Sequence, residues 1–592
     1  MQETAGAQVW GATYQVYQSA RARCYTAPRM RRIDRTIRTA GCAVALATLC
    51  AVAMGQAAVD AAKAAAVDQK PPALDQQPLA QQIAALVAQP AVARAHWGVM
   101  VTTLDGTPIY ALNDGQFFQP ASNTKLFTTS AAMALLGPDQ TFETQVAGTL
   151  DAASAAVTGD LSIVGAGDAN LSGRQLPYVI PRLRPSGDVA APAPDPLRYI
   201  EELADQVAAK GVKRVTGDVV GYDTLFPWEP YPSDWTIDDA VWGYGAPVSA
   251  LTINDNQLKV TVTPAAAPGK TAAVTVVPAM AYYTLDVSQL HTQPAKSGSH
   301  VQFERAPGSK ILRIYGSIAV DSPPDVEEVA IQDPAEYTAM ALKEMLEARG
   351  ITVSGTARAG HWLADEQRGF LEQTKEPLGW GLIDGTVLLS CGPEFEVRGG
   401  SGMRMLAAHR SATLAEDITV TNKVSQNLHA ELLLHLLGVK LTCIGSTAQG
   451  ARVVRGFLEH AGIDKDDFVF YDGSGLSGHD LVTPRATAKL LSYAAHDPKT
   501  GAPQPWFAEW KASLPLGGED TDLLARFAKA PLKDHVFAKT GTLGEARALS
   551  GYLDCASGQT VIFSIMDSNH TPGSNADRDA MDKIVAAIAA AE

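Results

Sequence analysis

Short apolar runs stand on either side of Asp105-Gly106 in "AHWGVMVTTLDGTPIYALND", which predicts two strands joined by a tight turn. The spacing then changes: "KLFTTSAAMALLG" reads as a helix that stops at Gly137. From about 145 to about 360 the pattern is of many short β-like runs, such as "GDLSIVGAGD", "KRVTGDVVGYD" and "NQLKVTVTP", punctuated by Gly, Pro and Asp. Within this stretch "YVIPRLRPSGDVAAPAPDPL" is Pro-rich and predicts a surface insertion, and "DPAEYTAMALKEMLEARG" predicts an amphipathic helix with a Gly stop. Residues 361–404 are Gly-rich and irregular, a second expected insertion. Helical spacing resumes at "SATLAEDITVTNKVSQNLHAELLLHLLG" and continues in "ARVVRGFLEHAG" and "TPRATAKLLSYAAH". Three strand-like runs, "HVFAKTGTL", "ARALSGYLD" and "GQTVIFSIMD", precede a last helix. No repeat of fixed period is present. The pattern predicts an α/β outer unit interrupted by a long β-rich insertion.

The chain has 592 residues, 46% hydrophobic and 19% charged, enough to build several globular units. Its formal net charge of −15 argues against a general nucleic-acid binder, since phosphate binding needs a basic surface. Arg31, Arg32, Arg35 and Arg38 precede an apolar run from Cys42 to Met54 and then small residues around Gly55–Ala58. This is the pattern of a signal peptide whose natural start is Met30, and it predicts an exported, periplasmic protein. An uncleaved anchor would need a longer run, about 20 apolar residues. The expected layout is a signal-peptide region at 1–58, a linker at 59–80, a catalytic domain from 81–145 and 361–592, and accessory domains at 146–360. Cleavage leaves Cys391, Cys443 and Cys555, at most one disulfide, and buried free thiols are the simpler expectation.

Ser122 and Lys125 in "PASNTKLFTTS" are three apart, so a helix starting near Ser122 puts both on one face. Serine needs a base to become a nucleophile, and lysine serves only if burial or a second cation lowers its pKa. About one Ser-x-x-Lys is expected by chance in a chain of this composition, and a plain core helix explains the same residues. Ser425-Gln426-Asn427 is the chain's only Ser-x-Asn and lies just before an apolar helix. The hydroxyl could relay a proton and the amide could hold a substrate backbone, although a helix cap is an equally simple role. Lys-Thr-Gly occurs twice. Lys499–Gly501 is bracketed by prolines after a helix, as in a surface turn, whereas Lys539–Gly541 lies in a β-like run. There Lys539, Thr540 and Thr542 could bind a carboxylate, and Gly541 would let a substrate lie close to the strand. The order Ser-x-x-Lys, Ser-x-Asn, Lys-Thr-Gly is that of penicillin-binding proteins and class A β-lactamases.

Together with "GAGDANLS", "YGAPVSALTINDN", "YDGSGLSGHDLVTPRA", "LPLGGED" and "AKTGTLGEARALSGYL", these motifs make the chain resemble the D-alanyl-D-alanine carboxypeptidase/endopeptidases of peptidase family S13, the low-molecular-mass class C penicillin-binding proteins. The resemblance spans roughly Ile83–Ala590. It implies a β-lactamase/transpeptidase-like domain, an antiparallel sheet flanked by helices, with one or two inserted domains. It also implies that Ser122 is the nucleophile, Lys125 its base, Ser425 the proton shuttle and Asn427 a substrate-positioning group. Lys539 and Thr540 would bind the terminal carboxylate, and the backbone N–H groups of Ser122 and Thr542 would form the oxyanion hole. Leu476 would line the pocket, and Trp235 and Asp238 would stand where relatives contact a diaminopimelate-type amine. The implied partners are peptidoglycan peptides, with β-lactams as covalent inhibitors; no cofactor or metal is implied, and oligomeric state and peripheral membrane association are left open. Two departures stand out: Gly478 where many relatives carry arginine, and "GGEDTDLL" where Gly-Thr-Leu is the more usual ending. A serine β-lactamase or esterase on the same fold, or a silent wall-peptide binder, are the alternatives. A metal site is a weaker rival, because His429 and His435 in "LHAELLLH" diverge around a helix.

Overall fold

The computed structural model describes residues 77–179, 195–383, 403–519 and 522–592. All fall in one compact unit, Asp75–Glu592. The expected signal peptide, the middle of the Pro-rich tract and Cys391 lie outside the described residues. The expected linker ends early, because helix Gln77–Val87 already begins within it.

The outer unit is built on a five-stranded antiparallel sheet in the spatial order Val536–Leu543, Ala546–Asp554, Thr560–Ser568, His96–Thr103, Pro108–Leu112. Ala546–Asp554 and Thr560–Ser568 are buried along nearly their whole length, because helices cover both faces. On one face Leu79 and Ile83 of Gln77–Val87 and Ile584 and Ile588 of the last helix, Ala576–Ala591, pack against Val99, Leu549 and Phe563. On the other, helices Thr124–Leu135, Asn427–Thr442, Thr447–His460 and Pro484–Ala495 share a core with Tyr552 and Ile562. Each fully buried Leu, Ile or Phe there contributes about 2 kcal/mol. The outer edge of Val536–Leu543 is covered at its start, where Ala538 N–H donates to the Pro515 carbonyl (3.0 Å) and Gly517 N–H to the Val536 carbonyl (2.8 Å). Backbone groups alternate sides along a strand, so the N–H groups of Thr540 and Thr542 face the same edge farther on.

Between the helices Thr124–Leu135 and Leu414–Lys423 the chain builds three more sheets. The largest has seven strands, mixed parallel and antiparallel, and buries Leu203 and Val207 of helix Arg198–Ala209 and Leu342 and Leu346 of helix Pro334–Ala348. Its entry strand, Glu143–Asp151, pairs antiparallel with its exit strand, Arg404–Arg410. The excursion thus leaves and re-enters the outer unit at one place, which puts Arg404–Arg410 with the inserted sheet rather than with the catalytic segment expected from 361 onward. The four-stranded and three-stranded sheets, around Leu290–Ala319 and Gln257–Val277, share a separate apolar core.

Cys555 is free and buried, but Cys443 is disulfide-bonded, with its partner outside the described residues. The expectation of free thiols fails for Cys443 because sequence separation gives no measure of distance in space. Among the described residues no single helix is long and apolar enough to cross a membrane.

Candidate active site

A short 3-10 turn, Ala121–Asn123, carries Ser122 and runs straight into helix Thr124–Leu135, so Lys125 follows Ser122 by one turn. Lys125 Nζ donates to Ser122 Oγ (3.0 Å), Asn427 Oδ1 (2.7 Å) and the Ser474 carbonyl (2.7 Å). The lysine is completely buried. The turn is held from beneath by the segment Tyr471–Asp480. Thr124 Oγ1 donates to Asp480 (2.9 Å), and Thr128 Oγ1 to the Gly473 carbonyl (2.8 Å). Gly475 makes this approach possible: its φ is +82°, and a Cβ there would stand 1.8 Å from the Ala121 carbonyl oxygen.

Ser425 sits between helices Leu414–Lys423 and Asn427–Thr442 with φ +59°, a left-handed conformation that turns the chain sharply into the cleft. Neither Ser425 nor Asn427 caps the following helix. Gln426 does, accepting from Leu428 N–H (3.0 Å). Asn427 is left free to accept from Lys125 and to donate to the Tyr244 carbonyl (2.9 Å), which ties the site to the inserted region. Lys539, also fully buried, donates to Ser425 Oγ (2.9 Å) and to the Thr540 carbonyl (3.1 Å). Asn123 Nδ2 donates to the Lys539 carbonyl (3.0 Å), fastening the serine turn to the strand. Gly541 has a packing role besides the one expected. A Cβ there would lie 2.4 Å from the Pro120 carbonyl oxygen, so the glycine lets the strand pack against the serine turn. Lys499–Gly501, by contrast, is an exposed turn organised by Asp497.

Two buried amines beside two hydroxyls define the electrostatics. Burial, reinforced by the neighbouring charge of Lys539, lowers the Lys125 pKa to about 7. Burial lowers Lys539 to about 8, against the pull of Asp522. Behind them Glu431 is pushed up to about 8 by burial and by Asp472. Glu431 accepts from Gly473 N–H (3.0 Å), while Asp472 accepts from Gly475 N–H and Ser477 N–H (both 2.7 Å), so these acids organise the loop under Lys125.

Ser122, Ser425, Thr540, Gly541 and Thr542 open onto one cleft of about 260 Å³. Arg526, Arg547 and Arg578 line it as well. Arg526 is paired with Asp582 (2.9 Å) and Arg547 with Asp577. Arg578 makes no hydrogen bond or ion pair among the described residues. Thr540 Oγ1 donates to Asp522 Oδ2 (2.6 Å). Sequence motifs assigned no role to Asn123, Asp472, Asp522 or the arginines: Asn123 adjoins Ser122 but its partner is the distant Lys539 carbonyl, and the others reach the site from distant segments.

The remaining expected residues are placed differently. Leu476 is half-buried beside the Ser474 turn. Trp235 Nε1 donates to Asp472 Oδ2 (2.9 Å), so its indole is fastened to the loop beneath Lys125. Asp238 is exposed on the inserted region and its charge acts on Tyr244, whose carbonyl holds Asn427. Gly478 gives its carbonyl to Gln119 Nε2 (2.6 Å).

His429, Glu431 and His435 do not converge. His429 lies between Asp417 (2.7 Å) and Asp255 (3.3 Å), and His435 Nε2 lies 3.1 Å from Thr447 Oγ1. Asp567, His570 and Asp577 do bring ligating atoms within 4.8 Å of one another, but Arg547 already pairs with Asp577 and supplies the cation.

The D-Ala-D-Ala carboxypeptidase 3 (S13) family model matches residues 79–379 and 396–590. A D-alanyl-D-alanine carboxypeptidase from Actinomadura sp. is 31% identical over 516 residues, 85% of this chain and 83% of that protein. D-alanyl-D-alanine carboxypeptidase DacB from Haemophilus influenzae is 22% identical, over 78% of this chain and 82% of its own. The crystal structure of penicillin binding protein 4 from Haemophilus influenzae superposes with a TM-score of 0.66 at 20% identity, covering 85% of this chain and 97% of that one, and shows the shared fold. The extent of the family match and the likeness to the Actinomadura enzyme establish that this chain belongs to the D-Ala-D-Ala carboxypeptidase 3 (S13) family.

Proposed function

We propose that the chain is a serine-type D-Ala-D-Ala carboxypeptidase, D,D-endopeptidase or both, acting on peptidoglycan stem peptides and acylated by β-lactams. The observation that carries this reading is the single amine of Lys125 reaching the Ser122 hydroxyl at 3.0 Å and Asn427 at 2.7 Å, with Lys539 on Ser425 at 2.9 Å. Neutral Lys125 takes the Ser122 proton as Oγ attacks the carbonyl between two D-alanines. The tetrahedral oxyanion is received by the N–H groups of Ser122 and Thr542, the latter on the open strand edge; one such donor is worth about 3 kcal/mol. Ser425 passes its proton to the leaving amine and receives in return the proton that Lys125 took from Ser122, so Lys125 is neutral again and Lys539 keeps its charge. Water then attacks the acyl-enzyme, Lys125 accepting its proton and handing it to Ser122 Oγ as the ester bond breaks. Lys539, Thr540 and Thr542 hold the carboxylate of the leaving residue, and an extended peptide lies along the free edge of Val536–Leu543.

Export is part of the same proposal. The apolar run from Cys42 to Met54 and the disulfide-bonded Cys443 both support a destination outside the cytoplasm. N-terminal sequencing of the exported protein is expected to show cleavage near Ala58; a mature chain that still begins at Gln2 would refute it.

Fluorescent penicillin labelling of wild type and Ser122→Ala tests the mechanism. A covalent adduct is expected only with Ser122 present. Adduct on both proteins, or on neither, overturns the assignment, and rapid release of hydrolysed penicillin would favour a β-lactamase. Digestion of purified muropeptides, read by mass spectrometry, separates loss of one alanine from splitting of a dimer.

A further inference from the structure

Asp522 stands in an unusual place for an acid. Its carboxylate accepts the Thr540 hydroxyl at 2.6 Å, and Thr540 is the residue that, on the reading above, binds the substrate's terminal carboxylate. It lines the same cleft as Ser122, Thr542 and Arg578. Its charge is felt by both catalytic amines, holding up the pKa of Lys539 and, more weakly, that of Lys125.

We infer that Asp522 is a specificity-determining residue whose carboxylate holds the position that a substrate's terminal carboxylate must take. The inference rests on the proposed D-Ala-D-Ala chemistry. Two carboxylates cannot share one hydroxyl donor, so an anionic substrate must displace Asp522 before Thr540 can bind it. Displacement removes the charge of Asp522 and brings in that of the substrate, leaving Lys539 facing one carboxylate in either state. Arg578, unpaired among the described residues and lining the same cleft, is the cation available to the incoming group. Asp522 thus penalises ligands with a free carboxylate relative to the same ligands with that group neutralised.

The test compares acylation of Ser122 by benzylpenicillin and by its methyl ester, in wild type, Asp522→Asn and Asp522→Thr. Asparagine keeps an oxygen for Thr540 but removes the charge; threonine removes the charge and shortens the side chain. Both variants are expected to accelerate acylation by the free acid about ten-fold, the worth of one hydrogen bond to a charged group, while the ester changes less than two-fold. Equal factors for acid and ester, or no change in either, would overturn the inference. Thermal melts of both variants establish that they are folded. Failure of the underlying reading looks different: wild type would then form no Ser122-dependent adduct with either compound.

Discussion

The pH dependence of acylation tests the lysine pair most directly. An amine with its ordinary pKa of 10.5 is neutral in only about 3 × 10⁻⁴ of molecules at pH 7. With its pKa lowered to about 7, half of Lys125 is neutral at that pH. The site therefore raises the fraction of competent base by about three orders of magnitude, equivalent to about 5 kcal/mol of differential interaction between the protonation states. Lys125 is wholly buried, so solvent screening takes little from this figure. Part of the gain is lost again because a weaker base pulls less strongly on the Ser122 proton. Burial is the larger cause of the lowered pKa and the charge of Lys539 the next, so the two can be separated by removing the second cation. The perturbation is Lys539→Met. The assay is the second-order rate of Ser122 acylation by a penicillin methyl ester from pH 5 to 10. An uncharged ester keeps the lost carboxylate contact out of the comparison. In wild type the rate should climb with pH, reach half its plateau near 7, and stay level. Without Lys539 the protonated form of Lys125 loses a repelling neighbour, its pKa rises, and the midpoint moves to higher pH without returning to 10.5, since burial remains. The rate deficit of the variant should therefore be larger at pH 6.5 than at pH 9. With the free acid, wild type should show a second, falling limb near 8 as Lys539 loses its charge. Because the amines interact, both limbs belong to the pair. A midpoint that stays in place or falls in Lys539→Met would refute the electrostatic account of the base.

Gly475→Ala should destabilise the protein and slow penicillin labelling at least about ten-fold: the positive φ alone costs about 1 kcal/mol, and the new methyl would displace the Ala121 carbonyl and with it Ser122. Gly478→Ala is the control, since its Cβ meets nothing nearer than Gln119 Nε2 at 3.8 Å; labelling and melting temperature should stay as in wild type. His429→Asn should lower stability by about 3–5 kcal/mol in urea unfolding, because it leaves Asp417 and Asp255 without their buried partner. Burial opposes protonation of His429, but Asp417 and Asp255 outweigh it and raise the pKa from 6.5 to about 9. Its contribution is thus complete below pH 6.5 and lost as pH rises through 9, so wild-type stability should fall across that window and the variant's should not.

What could be read in advance follows the range of the interactions involved. Ser122 and Lys125 are joined within one helical turn, so their spacing carried the geometry. The Lys539 strand was distinguishable from the Lys499 turn because prolines and a preceding helix mark the latter locally. The strand order of the five-stranded sheet, in which His96–Thr103 lies beside Thr560–Ser568, is a pairing across most of the chain and leaves no local trace. The same holds for the Cys443 disulfide and for the strand Arg404–Arg410, which closes a sheet opened at Glu143. Helix Asn427–Thr442 shows the limit most clearly. It is buried on nearly all sides, so its apolar residues mark no face, and His429, Glu431 and His435 interrupt what reads as a plain core segment. Their burial is tolerable only because Asp255 and Asp417, Gly473 N–H and Thr447 come from other segments to meet them. Asp255 also accepts from Gln426 (3.1 Å) and pairs with Arg174, so the charges that neutralise His429 also grip the residue between Ser425 and Asn427. The helix is therefore as polar as its neighbours require, and its buried charges belong to the support of the Ser425 turn rather than to a metal.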